Sequence, residues 1–263
     1  MSGMIIFFRL FALFIFLTFF FSLAESSPAL FPSVCAPPFP SDALIEWNCY
    51  RIKKGDTIEG LFGKHREAVL RFNRIDQRHL FTGKTLKVPR NLDAIASFTP
   101  LPSLLPQAVS YEKYIFVNLK EQFLGAYRYG NLIFSFPIAS GRGGSTPQGM
   151  FRVMGRDRQH RSSLYTIDKT NIPYPMFWAI KFYRSKKGVA FWLHSRDMPG
   201  YPASHGCIGL YDETMQKRFY GAPAEPMLHD AKKLYLWLFP DGEYDERSQE
   251  YPKNAPIIPI EII

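Results

Sequence analysis

His194-Ser195-Arg196-Asp197-Met198-Pro199-Gly200-Tyr201-Pro202-Ala203-Ser204-His205-Gly206-Cys207-Ile208 follows an apolar run, Val189 to Leu193, that reads as a β-strand ending at the first histidine. Pro199, Gly200 and Pro202 turn the chain, and two histidines and two serines then surround a cysteine. A free thiol is only a few per cent ionised at neutral pH, so a nucleophilic Cys207 needs an imidazole that takes its proton. Either His194 or His205 can supply it. On one strand, residues 205 and 207 face the same way, whereas His194 reaches the sulfur only if the turn brings its strand alongside. Gly206 allows a close backbone approach and an N–H aimed at a developing oxyanion. His194, His205 and Cys207 also make three zinc-type ligands, but no further Cys or acidic ligand stands at metal-ligand spacing, so no metal is expected.

Upstream of this stretch, antiparallel β-structure is expected. Ile115, Val117 and Leu119 alternate, a second strand runs from Phe123 to Tyr129, and Gly130-Asn131 makes a hairpin before Leu132, Phe134, Phe136 and Ile138. Further strands are expected over 150–154, 189–194 and 233–239, with a helix over 212–220. Residues 91–110 carry Pro100, Pro102 and Pro106 among small residues and read as a linker. Residues 241–263, polar and then proline-rich, read as a tail over the surface. The domain between them is bounded at 111–240.

Before the linker the order is strand, helix, helix, strand. Tyr50 to Lys54 alternates, Gly55-Asp56-Thr57 offers a turn and a helix cap, and Ile58, Leu61 and Phe62 share a helical face. Ala68, Val69 and Phe72 form a second stripe that ends at Asn73, and Gly83 turns the chain into Thr85-Leu86-Lys87-Val88-Pro89.

The N-terminus has another character. From Ile5 to Leu23 only Arg9, Thr18 and Ser22 interrupt an apolar run, and Ser22-Leu23-Ala24 suits signal cleavage, so residues 1–24 read as a signal peptide or, if retained, a membrane anchor. Residues 25–48 form a Pro/Ser-rich leading segment. Export favours disulfides. Cys35 and Cys49 flank a short loop containing Pro37, Pro38 and Pro40, and their pairing leaves Cys207 free. The 263 residues, 46% hydrophobic, exclude a mainly disordered chain. A net charge of +9, or +8 without residues 1–24, suits an anionic partner, and export makes nucleic acid an improbable one.

Tyr50, Gly55-Asp56-Thr57, Asn73 and Gly83 through Pro89 together resemble the LysM module, a βααβ glycan-binding domain, here over residues 49–90. The resemblance implies N-acetylglucosamine polymers held by Gly55, Asp56, Thr57, Arg74 and Ile75. Gly55 serves equally for a positive φ and Thr57 for a cap, so both readings stay open.

Ser140-Gly141 with Thr146-Pro147-Gln148-Gly149, the later His160, Ser162-Ser163 and Tyr165, and His194 leading to Ser204-His205-Gly206-Cys207 resemble the L,D-transpeptidase (YkuD-type) catalytic domain. The implied fold is mostly β, joined to an α+β N-terminal module. The resemblance makes Cys207 the acylated nucleophile and His194 its base, oriented by the carbonyl or hydroxyl of Ser195. His205 and Gly206 shape the oxyanion pocket, and Tyr201, Ser204, Arg196 and Arg142 bind substrate. The implied substrate is a peptidoglycan tetrapeptide stem that loses D-Ala to a Cys207 thioester, which an amine of a second stem or of an anchored envelope protein resolves. Water in place of the amine gives an L,D-carboxypeptidase or amidase. No cofactor is implied, the compartment is the periplasm or cell envelope, and carbapenems are expected to acylate the same sulfur. Gly209 departs from the family, which has Arg or Asn there. That departure raises a third reading, a degenerate peptidoglycan-binding protein, unless Arg196 or Arg142 replaces the charge.

Overall fold

Alternation of apolar side chains over 114–137 generates a three-stranded meander, and the computed structural model, which describes residues 35, 39–242 and 249–263, builds the rest around it. The first elements are β1 (Trp47–Arg51), α1 (Ile58–Phe62), α2 (Arg66–Asn73) and β2 (Thr85–Pro89), with β1 antiparallel to β2. Thr57 caps α1 by accepting the Gly60 N–H at 3.0 Å. Asp56 accepts from Lys53 N and from the Tyr50 hydroxyl, both at 2.7 Å, which closes the turn that Gly55 makes at φ +91°. Cys35 and Cys49 are joined by a disulfide with their Cα atoms 6.1 Å apart. The expected signal segment 1–24, and residues 25–34 and 36–38 of the leading segment, lie outside the described residues.

The meander is β3 (Tyr114–Asn118), β4 (Phe123–Arg128) and β5 (Asn131–Pro137). After it come β6 (Gly149–Arg152), β7 (Gly155–Asp157), a hairpin of β8 (Arg161–Thr166) with β9 (Pro173–Pro175), then β10 (Ala179–Arg184) and β11 (Ala190–Ser195). Next are β12 (Ile208–Leu210), α3 (Glu213–Tyr220), α4 (Asp230–Leu238), β13 (Gln249–Glu250) and β14 (Pro259–Ile262). One sheet has the order β5-β4-β3-β14-β6 and the other β12-β11-β10-β7-β13. Ile115, Val117 and Leu124 of the first meet Ile180, Leu193 and Ile208 of the second in one buried core, which α4 closes with Ala231, Leu234, Tyr235 and Leu238.

Three expectations are corrected here. The expected strand over 233–239 is instead the helix α4 up to Leu238, because Ala231, Leu234, Tyr235 and Leu238 make an i, i+3, i+4, i+7 stripe that buries one face. Residues 91–110 are packed chain rather than a free linker: Leu101, Leu105 and Ala108 are buried against Tyr114, Phe123 and Tyr127. The segment 241–263 is more than a surface tail, since β14 lies inside a sheet, parallel to β3 and antiparallel to β6.

The βααβ unit is fixed to the β-sheets by buried polar contacts. Arg71 makes a bidentate pair with the buried Asp230 at 2.7 and 2.7 Å. Ile75 bridges Pro199, and the Tyr211 hydroxyl donates to the Leu70 and Ile75 carbonyls, each at 3.1 Å. Among the described residues no helix is long and apolar enough to cross a membrane.

Removing residues 257–263 takes β14 from between β3 and β6 and uncovers Ile115 and Val117. The truncated protein is expected to lose its cooperative thermal transition in circular dichroism; a transition within a few degrees of the full chain would contradict the assignment of this strand.

Candidate active site

Strands β11 and β12 pair in parallel, with Leu193 opposite Ile208, His194 opposite Gly209 and Ser195 opposite Leu210. Parallel neighbours need a crossover of about a dozen residues or more, and 196–207 supplies it as an irregular loop instead of a helix. Leu193, Ile208 and Leu210 enter the core. By strand alternation His194, Arg196, Cys207 and Gly209 take the opposite face, where the first three line a cavity of about 480 Å³. The loop therefore brings the histidine strand alongside the cysteine.

His194 is buried, and its Nδ1 lies 2.6 Å from the Ser195 carbonyl oxygen. A carbonyl only accepts, so Nδ1 carries the proton and Nε2 keeps the lone pair. Burial, and then the charge of Arg196, hold the His194 pKa down to about 3. The ring is neutral at physiological pH. Ser195 orients it through its carbonyl; its hydroxyl is buried without a hydrogen-bond partner.

Cys207 is half-buried and free. Burial raises its pKa above the ordinary thiol value, while the backbone N–H of Trp192 and the charge of Arg196 pull it back. At rest the cavity therefore holds a neutral thiol and a neutral imidazole. His205 is a poorer base: it is exposed, it stacks on Tyr165 at 4.4 Å, and its Nε2 accepts from Arg142.

The turn carrying Cys207 is braced by a second segment. Ser140 O accepts from Ala203 N and Ser204 N at 2.9 and 3.0 Å, and Ala139 exchanges backbone hydrogen bonds with Gly209 at 3.0 Å each. Thr146 Oγ1 accepts from Gly141 N at 2.8 Å and donates to Gly206 O at 3.0 Å. A Cβ on Gly141 would stand 2.9 Å from Gly206 Cα, so only glycine lets these chains approach so closely. These contacts give Ser140, Gly141 and Thr146 their physical role.

Several expected site residues stand elsewhere. Arg74 and Ile75 have no exposed surface. Arg74 pairs with Asp42 at 2.7 Å, its guanidinium 4.1 Å from the Phe39 ring and 4.9 Å from Phe123, so neither residue can meet a glycan. Ser204 is committed inside the turn, its hydroxyl donating to Cys207 O at 2.5 Å and accepting Gly206 N at 2.9 Å. That bond also occupies the Gly206 N–H assigned to an oxyanion. Tyr201 lies 5.7 Å from the Lys84 ammonium, and neither it nor Arg142 lines the cavity. Gly55, Asp56 and Thr57 line a separate groove of about 340 Å³ with Leu80, Phe81 and Thr82. Two residues absent from the sequence reading brace the site from the βααβ unit. Asp76 accepts from Met198 N at 2.6 Å, and Arg78 pairs with Asp197 at 2.7 Å. Only their place just after Asn73 hinted at them.

Residues 112–239 match the family model for the L,D-transpeptidase catalytic domain, YkuD. Residues 112–239 thus form a YkuD-type L,D-transpeptidase catalytic domain. Among solved structures, it is similar to an L,D-transpeptidase from Xylanimonas cellulosilytica at 20% identity, covering 86% of this chain and 100% of that one with a TM-score of 0.41. An L,D-transpeptidase from Mycobacterium smegmatis matches at 14% identity over 58% of each chain, TM-score 0.35. L,D-transpeptidase 1 from Mycobacterium tuberculosis matches at 16% identity over 57% of this chain and 60% of that one, TM-score 0.34. This chain thus spans about three fifths of the mycobacterial structures. No curated protein sequence gives a significant match.

The pKa shifts of this YkuD-type domain set a pH profile. With the thiol raised and His194 held down, alkylation of Cys207 by iodoacetamide is expected to keep accelerating from about pH 7 to beyond 9, with no inflection near the ordinary histidine value of about 6.5. A rate plateau reached below about pH 7 would mean a preformed thiolate–imidazolium pair and contradict the resting state described.

Proposed function

We propose that this protein is an exported cell-wall L,D-transpeptidase in which Cys207 is the nucleophile and His194 the base. The observation that carries the reading is the shared cavity face of β11 and β12, where a neutral imidazole with its Nδ1–H fixed by Ser195 O stands in one pocket with the lone free thiol. In the first half-reaction the Cys207 Sγ adds to the carbonyl between the L-centre of diaminopimelate and the terminal D-Ala of a stem peptide. His194 Nε2 takes the thiol proton and returns it to the departing amine of D-Ala, leaving a thioester. In the second, an amine of another stem peptide or of an envelope protein attacks the thioester, loses its proton to His194, and expels the thiolate, which recovers that proton. Water in place of the amine makes the same site a carboxypeptidase.

The βααβ unit is, on this proposal, a LysM-type glycan module. Its support is the groove in which exposed Gly55 and Thr57 face the half-exposed Phe81 ring. Asp56 is held by Tyr50 and Lys53, so it shapes the turn that presents them. Arg74 and Ile75 are withdrawn from the glycan contacts, and Leu80, Phe81 and Thr82 take their place. A polymer held there raises the local concentration of its stem peptides at the pocket. Export to the envelope rests on the apolar run of residues 5–23 and on the Cys35–Cys49 disulfide, which persists in oxidising compartments. A retained N-terminal segment would make the protein membrane-anchored.

Incubation with purified tetrapeptide muropeptides, followed by mass spectrometry, is expected to give loss of D-Ala and new 3-3 cross-links. Cys207→Ala should abolish both, and His194→Ala should reduce turnover about 100-fold or more, with melting temperatures near that of the parent. Parent-like rates in either variant would refute the assigned roles. Shortened peptides with no cross-link would assign hydrolysis.

A further inference from the structure

Gly209 and Arg196 fit together in a way that the nucleophile and base do not require. A Cβ built on Gly209 would lie 2.4 Å from Arg196 Cδ, 2.6 Å from its Cβ and 3.0 Å from its Cγ. Real side chains do not approach so closely, and three consecutive atoms of the arginine stem cannot all give way. The bare backbone at 209 is therefore the seat across which the Arg196 stem lies, on the cavity face and beside Cys207 and His194.

The guanidinium seated there is only partly satisfied. Its Nη2 donates to the Ala203 carbonyl at 3.0 Å, its Nε is buried with no hydrogen-bond partner, and among the described residues Arg196 has no salt bridge to a carboxylate. The adjacent carboxylate, Asp197, feels the charge of Arg196 but is ion-paired with Arg78 instead, and a half-buried guanidinium with no carboxylate in contact is suited to receive one from a ligand. The other arginines near the loop are neutralised or engaged: Arg78 by Asp197 at 2.7 Å, and Arg142 by His205 on the exposed side. Arg196 is also held firmly by its backbone. Its N–H donates to Leu210 O at 2.9 Å, and the next two residues are pinned by Arg78 and by the paired Asp76–Met198 hydrogen bonds at 2.8 and 2.6 Å.

We propose that Arg196, seated on Gly209, is the receptor for a carboxylate of the acyl donor and fixes that donor against Cys207. The identity of the donor as a stem peptide rests on the function proposed above; the preference of the pocket for an anionic reagent does not. With the guanidinium already placed, a donor bearing a free carboxylate near its scissile amide is held with its carbonyl toward the sulfur, and a neutral or cationic analogue is not.

The test uses the full protein with its disulfide intact, so that Cys207 is the only free thiol. Its alkylation rate is measured with iodoacetate and with iodoacetamide at one pH. The two reagents meet the same thiolate fraction, so their rate ratio reports the local field and not the thiol pKa. The wild-type ratio is expected to exceed that of glutathione by about fivefold or more, and Arg196→Gln to bring it down to the glutathione value. Gly209→Ala, which displaces the arginine stem, should lower it as well, and the exchange Arg196→Gly with Gly209→Arg should restore it to within about twofold. Arg184 and Lys187, which line the exposed rim of the cavity, are the controls, and changing each to Gln should leave the ratio within about twofold. A ratio unchanged in Arg196→Gln, or one lost in the rim variants instead, overturns the proposal, and the exchange variant decides the matter if Arg196→Gln does not fold. A strong iodoacetate preference without any turnover of muropeptides would keep the carboxylate receptor and refute the peptidoglycan reading. Turnover without the preference would refute the receptor alone.

Discussion

Parallel pairing of β11 with β12 is the constraint on which the rest of the molecule depends. It sets His194 and Cys207 on one face with the core residues Leu193 and Ile208 on the other, and a one-residue slip would send both of the former into the core. Such pairing requires a long return, and the return chosen here has no helix to stiffen it. Its order must come from outside, through backbone hydrogen bonds and buried side chains on neighbouring segments.

Two supports meet that need from opposite sides. Ala139 to Arg142, with Thr146, grips the C-terminal half of the loop through backbone hydrogen bonds and the close contact of Gly141 with Gly206. Ile75, Asp76 and Arg78 grip the N-terminal half at Asp197, Met198 and Pro199. The second grip has a consequence for organisation. The βααβ unit is joined to the β-sheets by a buried Arg71–Asp230 pair and by a backbone bridge, so its groove and the reaction cavity are held by one continuous body of packed chain.

Much of this was legible in the sequence, and the exceptions share a physical cause. The hairpin at Gly130-Asn131, the strand before His194 and the helix over 212–220 are written in local pattern, and each forms where the pattern stands. Residues 233–239 misled because Leu234, Leu236 and Leu238 alternate, while the helical stripe begins at Ala231, outside that window. Prolines at 256 and 259 disguised β14, whose strand character depends on β3 and β6 more than a hundred residues earlier in the chain. Arg74 followed a glycan-binding position by motif, yet its partners Asp42, Glu121 and Phe123 are remote in sequence, and nothing local announces a buried cation. The site itself was legible as residue types. Which imidazole has a free nitrogen was not, since that follows from the Ser195 carbonyl and from Arg142 at His205.

In the proposed reaction Cys207, activated by His194 across the β11–β12 pair, is the residue acylated. The most direct measurement is intact mass of the protein after exposure to a carbapenem, with the adduct localised by peptide mapping. A single adduct is expected on Cys207, forming rapidly in the parent protein and at least about 100-fold more slowly when His194 is replaced by alanine. No adduct, an adduct on another residue, or acylation indifferent to His194 would contradict it.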